Sequence, residues 1–383
     1  MRQRLTILGS TGSIGVQTLD IVRENPEMFE VTTLTANNGW EQLARQAIEF
    51  DVDSVVIANE SLYTPLAEAL KSHPIKVYAG EAALEQICTN SEVDVVVNAL
   101  VGYAGLRPSV AAIESGKKLA LANKESLVVG GEYVMKLATE RKVPILPIDS
   151  EHSAIFQCLI GESAPIRRVI LTCSGGSFRD YRCEDLENVT VKEALNHPQW
   201  SMGSKITIDS STLVNKGFEV IEAHWLFGLE AEKIDVIQHP QSVVHSMVEF
   251  EDGAIKAQLG TPDMRMPISL ALMFPQRANR PQEQFSFLDN PTLSFEAVDR
   301  LKFPALDIAY DVLRRGGTAA CTMNGANEVA VATFLAGGCK YLDIVKAIEY
   351  ALTKSDFSLS ASLDTYAAAN IESRKLAAEY LKL

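Results

Sequence analysis

Asp149 and Glu151 stand two residues apart in Pro147-Ile148-Asp149-Ser150-Glu151-His152. In an extended segment residues i and i+2 share a side, so the two carboxylates converge. Two anions held close require a cation between them or a shared proton. An all-oxygen donor set suits a hard divalent ion, Mg²⁺ or Mn²⁺. The same residues also fit a plain helix start, where an acid caps the first turn and complements the macrodipole. The motif by itself leaves both readings open.

A second group is Gly9-Ser10-Thr11-Gly12-Ser13-Ile14-Gly15. Its glycines permit a tight turn and let backbone approach a pyrophosphate, and a helix start after it offers free N–H groups to phosphate oxygens. The spacing is GxxGxxG, a variant of the usual dinucleotide fingerprint. Further on, Thr35-Ala36-Asn37-Asn38-Gly39 carries no acid where an NAD site places one on the ribose. That leaves room for a 2′-phosphate beside Asn37 and Asn38, which favours NADP.

The stretch 195–227 carries a third set. His197, Trp200, Met202 and Gly203 combine a titratable ring, apolar plates and a flexible hinge, the ingredients of a lid over 195–204. His197 has a second reading as a loop histidine with no task. Ser210, Asn215 and Lys216 offer neutral and cationic donors, and Asn215 and Glu219 share a helix face at i, i+4. Such donors suit a phosphate monoester beside a metal. Glu222, one turn on, is expected at the surface. Lys124 adds a cation, and Cys173-Ser174-Gly175-Gly176-Ser177 is a small-residue turn able to take phosphate. His73 and His224 read as structural; His245 faces either a site or a hydrated surface.

The elements that must position these groups follow from periodicity. Short β-branched runs at 4–8, 30–35, 53–58, 93–98, 117–122 and 143–148 alternate with helical patterns at 15–24, 40–50, 105–115 and 125–140. That is a parallel sheet flanked by helices, with ligands beyond the carboxyl ends of its strands. Beyond 150 the pattern is mixed α+β, with a hairpin of 243–250 and 254–259 turning at Glu251-Asp252-Gly253. Pro275, Pro281, Pro291 and Pro304 mark a linker, and helical patterns at 305–315, 326–336, 341–353 and 364–382 close the chain. The expected organisation is an α/β protein: a Rossmann-like parallel-sheet domain over 1–149 and an α+β catalytic domain over 150–275. A linker over 276–304 and a C-terminal helical bundle over 305–383 complete it.

Composition narrows the function classes. The 383 residues, 47% hydrophobic and 22% charged, exclude a disulfide scaffold and a disordered chain. A net charge of −14 repels polyanions, so nucleic acid is not an expected partner. The six cysteines form no CxxC and read as free thiols. No run approaches the roughly 18 apolar residues of a membrane span, and Met1–Ser10 lacks a signal core. A cytoplasmic protein without membrane partners is expected.

Taken together, GSTGSIG at 9–15, LANKESL at 121–127, PIDSEHSAIFQ at 147–157, HPQWSMG to NKGFE at 197–219, HPQSVVHSM at 239–247 and NGANE at 324–328 resemble the 1-deoxy-D-xylulose 5-phosphate reductoisomerase family. The resemblance spans nearly the whole chain. It implies a homodimer that rearranges 1-deoxy-D-xylulose 5-phosphate through metal-assisted retro-aldol and aldol steps. NADPH then reduces the resulting aldehyde to 2-C-methyl-D-erythritol 4-phosphate, an isoprenoid precursor. Carried over, Asp149, Glu151 and Glu219 correspond to metal ligands. Lys124, Ser150, Glu151, Ser174, His197, Ser210, Asn215, Lys216 and Glu219 correspond to substrate contacts, and Thr11, Gly12, Ser13, Ile14, Asn123, Glu125 and Gly203 to NADPH contacts. The chain departs from the pattern at Asn38, where many members have Lys, at Gly39, at Ser177 in place of Pro, and at Gly325 in place of Ala. Two other classes fit parts of the sequence: a different NADP oxidoreductase of small phosphorylated carbonyls, and a non-catalytic NADPH sensor. Neither needs the three carboxylates.

Overall fold

The computed structural model describes residues 2–200, 202–279, 285–359 and 362–383. Its strands are β1 (Gln3–Leu8), β2 (Phe29–Ala36), β3 (Ser54–Ile57), β4 (Lys76–Ala79), β5 (Val95–Asn98), β6 (Lys118–Leu121), β7 (Ile145–Pro147), β8 (Ile166–Cys173), β9 (Ile234–Gln238), β10 (Val244–Phe250), β11 (Ile255–Leu259) and β12 (Glu296–Ala297). Its α-helices are α1 (Ser13–Glu24), α2 (Trp40–Glu49), α3 (Tyr63–Leu70), α4 (Glu81–Cys88), α5 (Leu106–Glu114), α6 (Glu125–Arg141), α7 (Ser150–Leu159), α8 (Val191–Ala194), α9 (Ser204–Ser211), α10 (Val214–Phe227), α11 (Arg265–Met273), α12 (Ala305–Arg315), α13 (Ala319–Leu335), α14 (Asp343–Lys354) and α15 (Leu363–Leu381). Two compact units result. The first holds the residues up to Asn123, Val134–Asp149 and Met264–Asn279; the second holds Lys124–Tyr133, Ser150–Asp263 and the described residues beyond Asn279. The division falls inside α6, near Gly130, where the backbone leaves helical geometry.

In the first unit β1–β7 form one parallel sheet in the order β4-β3-β2-β1-β5-β6-β7. Its central strands are buried apolar runs, as in Val95-Val96-Val97, because helices cover both faces of a parallel sheet. The strand order reverses between β1 and β5, which creates the crevice where such sheets bind ligands. This is the expected Rossmann-like sheet, with one strand more. β4 is an edge strand whose residues alternate exposed and half-exposed, so it lacks the apolar run that marked the others. The strands expected as fifth and sixth are therefore β6 and β7.

α11 also belongs to the first unit, which corrects the boundary expected at 275. Ile268, Leu270 and Leu272 are buried, and Arg265 pairs with Asp20 of α1 at 2.6 Å.

In the second unit the sheet order is β11-β10-β8-β9-β12, with β8 and β9 parallel and the other pairs antiparallel. The expected hairpin is β10–β11, and Gly253 takes the positive φ of 85° that its turn requires. β12 lies inside the expected linker and pairs with β9; Pro281 of that linker lies outside the described residues. α7 and α10 pack on the sheet through Ile155, Val169, Leu171, Val220 and Ala223. The C-terminal helices α12–α15 pack on one another as the expected bundle, and the bundle is continuous with the helices before it. Ala305, Ala309, Met323, Ala326 and Ile348 share one core with Ile208, Val214, Phe218 and Ile221 of α9 and α10. Among the described residues no helix is long and apolar enough to cross a membrane.

Candidate active site

The extended geometry first expected for Asp149 and Glu151 is not what brings them together. α7 begins at Ser150, so Glu151 lies in a helical first turn and Asp149 directly precedes it. The helix-start reading is right about local structure, and the acids still cluster. α10 runs beside α7 because both cover the same sheet, and it delivers Glu219. One carboxylate oxygen from each of Asp149, Glu151 and Glu219 lies within 4.8 Å of the others. Three oxygen donors at this spacing fit a hard divalent ion.

Lys216 organises two of these acids. It is buried, and its Nζ donates to Glu151 Oε1 (2.7 Å), to Glu219 Oε2 and to the Thr172 carbonyl (2.6 Å). Lys124 Nζ reaches Glu219 Oε1 at 3.3 Å, and Asn215 Nδ2 donates to the same oxygen at 2.6 Å. The i, i+4 relation of Asn215 and Glu219 is as expected. Burial alone would raise the Glu151 pKa, but Lys216 and the Ser150 hydroxyl outweigh it and hold the carboxyl well below its usual range. Burial opposes the charge on Lys216 as well, and Glu151 and Glu219 reverse that, leaving its pKa above that of an ordinary lysine. An ammonium has three protons, and here all three are directed to protein acceptors.

Glu222 is not at the surface. Its side chain is fully buried, with Oε2 3.2 Å from His152 Nδ1, while His152 Nε2 lies 2.8 Å from the Glu219 carbonyl. The surface expectation ignored α7, which covers this face of α10. His152 was missed in the sequence; its position one turn after Asp149 was the available signal. Asp149, His152 and Glu222 form a second grouping with metal-ligand spacing, but its nitrogen donor suits a hard ion less well. His245 is buried and faces inward, with its ring centroid 6.4 Å from that of Trp200. Burial lowers its pKa, against the pull of Glu151. His224 accepts its expected structural role, bonding through Nδ1 to the Leu229 carbonyl at 2.6 Å.

The lid segment lies between α8 and α9, with Ser201 outside the described residues. His197 Nδ1 accepts from the backbone N–H groups of Gln199 (3.2 Å) and Trp200 (2.9 Å), so the ring proton sits on Nε2 and is donated to Ser174 Oγ at 3.1 Å. Burial lowers the His197 pKa to about 4, keeping the ring neutral. Gly175 and Gly176 take positive φ, and a Cβ on Gly176 would lie 2.5 Å from the Ser210 carbonyl. That close approach sets the turn carrying Ser174, which His197 bonds, against the end of α9 at Ser210. Met202 is half-buried, and Gly203 is the exposed N-cap of α9.

In the first unit Gly9 has φ 78°, and a Cβ there would meet the Ala99 carbonyl at 2.7 Å. A Cβ on Gly15 would meet the Gly9 carbonyl at 2.3 Å. Gly12 is the N-cap of α1 with no side-chain cap, so the helix start around Thr11, Ser13 and Ile14 is open to an anion. A Cβ on Gly39 would lie 3.3 Å from Thr11 Oγ1, which joins this loop to exposed Asn37 and Asn38. Asn38 Oδ1 accepts from Asn59 Nδ2 at 2.9 Å. Two expected NADPH contacts hold the fold as well. Asn123 Nδ2 donates to the carbonyls of Leu100 (2.9 Å) and Gly102 (3.0 Å), and in the second unit Glu125 Oε1 accepts from Lys205 at 2.7 Å.

Three family models match the chain: 1-deoxy-D-xylulose 5-phosphate reductoisomerase over residues 5–131, its C-terminal domain over 145–227, and the DXP reductoisomerase C-terminal domain over 259–376. The 1-deoxy-D-xylulose 5-phosphate reductoisomerase of Bacteroides fragilis is 52% identical over 381 residues, 99% of this chain and 98% of its own. That of Porphyromonas gingivalis is 48% identical, covering 100% and 99%. Among solved structures, a DOX-P reductoisomerase in complex with NADPH, fosmidomycin and magnesium aligns with TM-score 0.95 and 40% identity over 100% of this chain and 98% of its own. The Zymomonas mobilis enzyme in complex with NADPH aligns at 0.92, with 41% identity over all of both chains.

Proposed function

Since the chain belongs to the 1-deoxy-D-xylulose 5-phosphate reductoisomerase family, its reaction is the metal-dependent rearrangement and NADPH reduction of that sugar phosphate, and we propose that Asp149, Glu151 and Glu219 hold the divalent ion for it. The observation that carries the assignment is the mutual approach of the three carboxylates within 4.8 Å. When bound, the ion supplies a Lewis acid that polarises the substrate's carbonyl, and NADPH supplies the hydride. The chain's own residues do the rest. Lys216 keeps Glu151 ionised, ready to ligate without a proton to remove, and Lys216 and Lys124 together align Glu219.

Ser174, Ser210 and Asn215 are the proposed donors to the substrate phosphate. Neutral His197 fixes Ser174 through its Nε2 proton and leaves the anion without a titrating neighbour near neutral pH. Trp200 and Met202 cover the substrate and exclude water when the 195–204 segment closes, with His245 behind the indole. Fosmidomycin is proposed to occupy the same pocket, as a relative's structure contains it with NADPH and magnesium. In the first unit, Thr11, Gly12, Ser13 and Ile14 are the proposed pyrophosphate contacts, and Asn37 and Asn38 those of the 2′-phosphate. A cytoplasmic homodimer without nucleic-acid or membrane partners completes the reading; net charge −14 supports the absence of nucleic acid, and exposed Ile255 on the sheet-edge strand β11 supports a partner copy.

The test is NADPH consumption by the purified chain with 1-deoxy-D-xylulose 5-phosphate, before and after chelation. Activity abolished by chelation and restored by Mg²⁺ or Mn²⁺ is the expected result. Activity indifferent to metal would reject the carboxylate assignment.

A further inference from the structure

We propose that Lys205 and Asn327 are positioning residues that fix α9 from the side of the C-terminal helices, and with it the lid on one side and the start of α10 on the other. Lys205, in the first turn of α9, donates from Nζ to Glu125 Oε1 at 2.7 Å and to Asp209 Oδ2 at 2.8 Å. The same ammonium lies 5.4 Å from the Phe218 ring centroid, against α10. Burial disfavours its charge, and Asp209 and Glu125 outweigh that, so Lys205 is a permanent cation pinning α9 to the start of α6. The second oxygen of Asp209 is held from α13: Asn327 Nδ2 donates to Oδ1 at 2.8 Å, and both residues are buried.

Asn327 has no partner for its Oδ1 among the described residues. A buried amide with one end unpaired carries a desolvation cost that an apolar residue would not, so what the side chain contributes is its bond to Asp209. The NGANE segment thereby acquires a task. α9 is the only stretch between Gly203, at the lid, and Leu213, whose positive φ of 58° turns the chain into α10. Thr212 Oγ1 closes that turn on the carbonyls of Ile208 (3.2 Å) and Asp209 (3.1 Å). A shift of α9 therefore moves Met202 and Gly203 at one end and Asn215, Lys216 and Glu219 at the other.

This inference rests on the proposed substrate pocket, and its test separates the two. Asn327→Leu removes the bond to Asp209 at similar volume. Asn324→Leu is the control: it lies one turn earlier on α13, and its Nδ2 bonds Glu328 of the same helix, at 2.8 Å. Asn327→Leu is expected to raise KM for the sugar phosphate roughly tenfold, with kcat and NADPH affinity reduced less, the pattern of displaced contacts. Asn324→Leu is expected to leave all three unchanged. Lys205→Met is expected to act like Asn327→Leu, and Lys205→Arg to restore KM, because only the second keeps a cation between Glu125 and Asp209. An unchanged KM in Asn327→Leu, or equal effects of the two asparagine variants, overturns the proposal. Should Asn327→Leu fail to fold, equal KM for Lys205→Arg and Lys205→Met overturns it instead. Ser174→Ala, assayed alongside, reports on the pocket itself: a KM unaffected there rejects the pocket whatever the Asn327 result.

Discussion

Glu219→Gln is the most informative single replacement, because it keeps the shape of the side chain and removes its charge. Glu219 is 1% exposed, and its two oxygens accept from Lys216, Asn215 and Lys124. The glutamine presents an N–H₂ group where one ammonium now finds an oxygen. Breaking a buried pair in this way costs about 3–5 kcal/mol. Lys216 retains Glu151 and the Thr172 carbonyl, so the low end, about 3 kcal/mol, is expected here. The metal loses one of three ligands, and even weakened support of a ligand lowers affinity about 10- to 100-fold. Calorimetric titration with Mn²⁺ gives the affinity, and urea unfolding of the metal-free protein gives the stability. Loss in both is expected, with NADPH affinity unchanged. Wild-type Mn²⁺ affinity in the variant would refute the ligand assignment, and wild-type stability would refute the buried-pair argument.

Further outcomes follow from other parts of the structure. His197 titrates at about 4 when folded and near 6.5 when unfolded, so its contribution to stability is complete above about pH 6.5 and is lost as pH falls toward 4; NMR titration of its ring should show no transition near neutrality, and one at 6.5 would contradict the buried tautomer. Gly15→Ala forces a Cβ within 2.3 Å of the Gly9 carbonyl, an overpacking worth about 1–3 kcal/mol, and should weaken NADPH binding and lower Tm together. Asn38→Lys adds a cation beside the proposed 2′-phosphate and should widen the NADPH-over-NADH ratio of kcat/KM by about 1 kcal/mol; an unchanged ratio would place that phosphate elsewhere.

Much of this was legible because local pattern and tertiary role coincide. The parallel sheet announces itself in runs such as Val95-Val96-Val97, and the glycine loop is fixed by steric needs at Gly9 and Gly15. β4 escaped because an edge strand of four residues, Lys76-Val77-Tyr78-Ala79, needs no apolar run. α7 was misplaced because Pro147-Ile148 continues the strand pattern up to the residue where the helix starts. Glu222 misled for a different reason. Its surroundings, like those of Lys216, are built from α7, β8 and α10 together, and nothing within a few residues of either says that His152 or Glu151 will lie against them. α11 shows the same limit, since its apolar side chains are visible in sequence but the helix they cover, α1, lies about 245 positions earlier.

The central claim is tested most directly by anomalous diffraction from crystals of this protein soaked in Mn²⁺. One peak is expected, bounded by Asp149, Glu151 and Glu219, with Lys216 Nζ drawn away from at least one of the two glutamates it now bridges. A peak between Asp149, His152 and Glu222, or none near Glu219, would contradict the account.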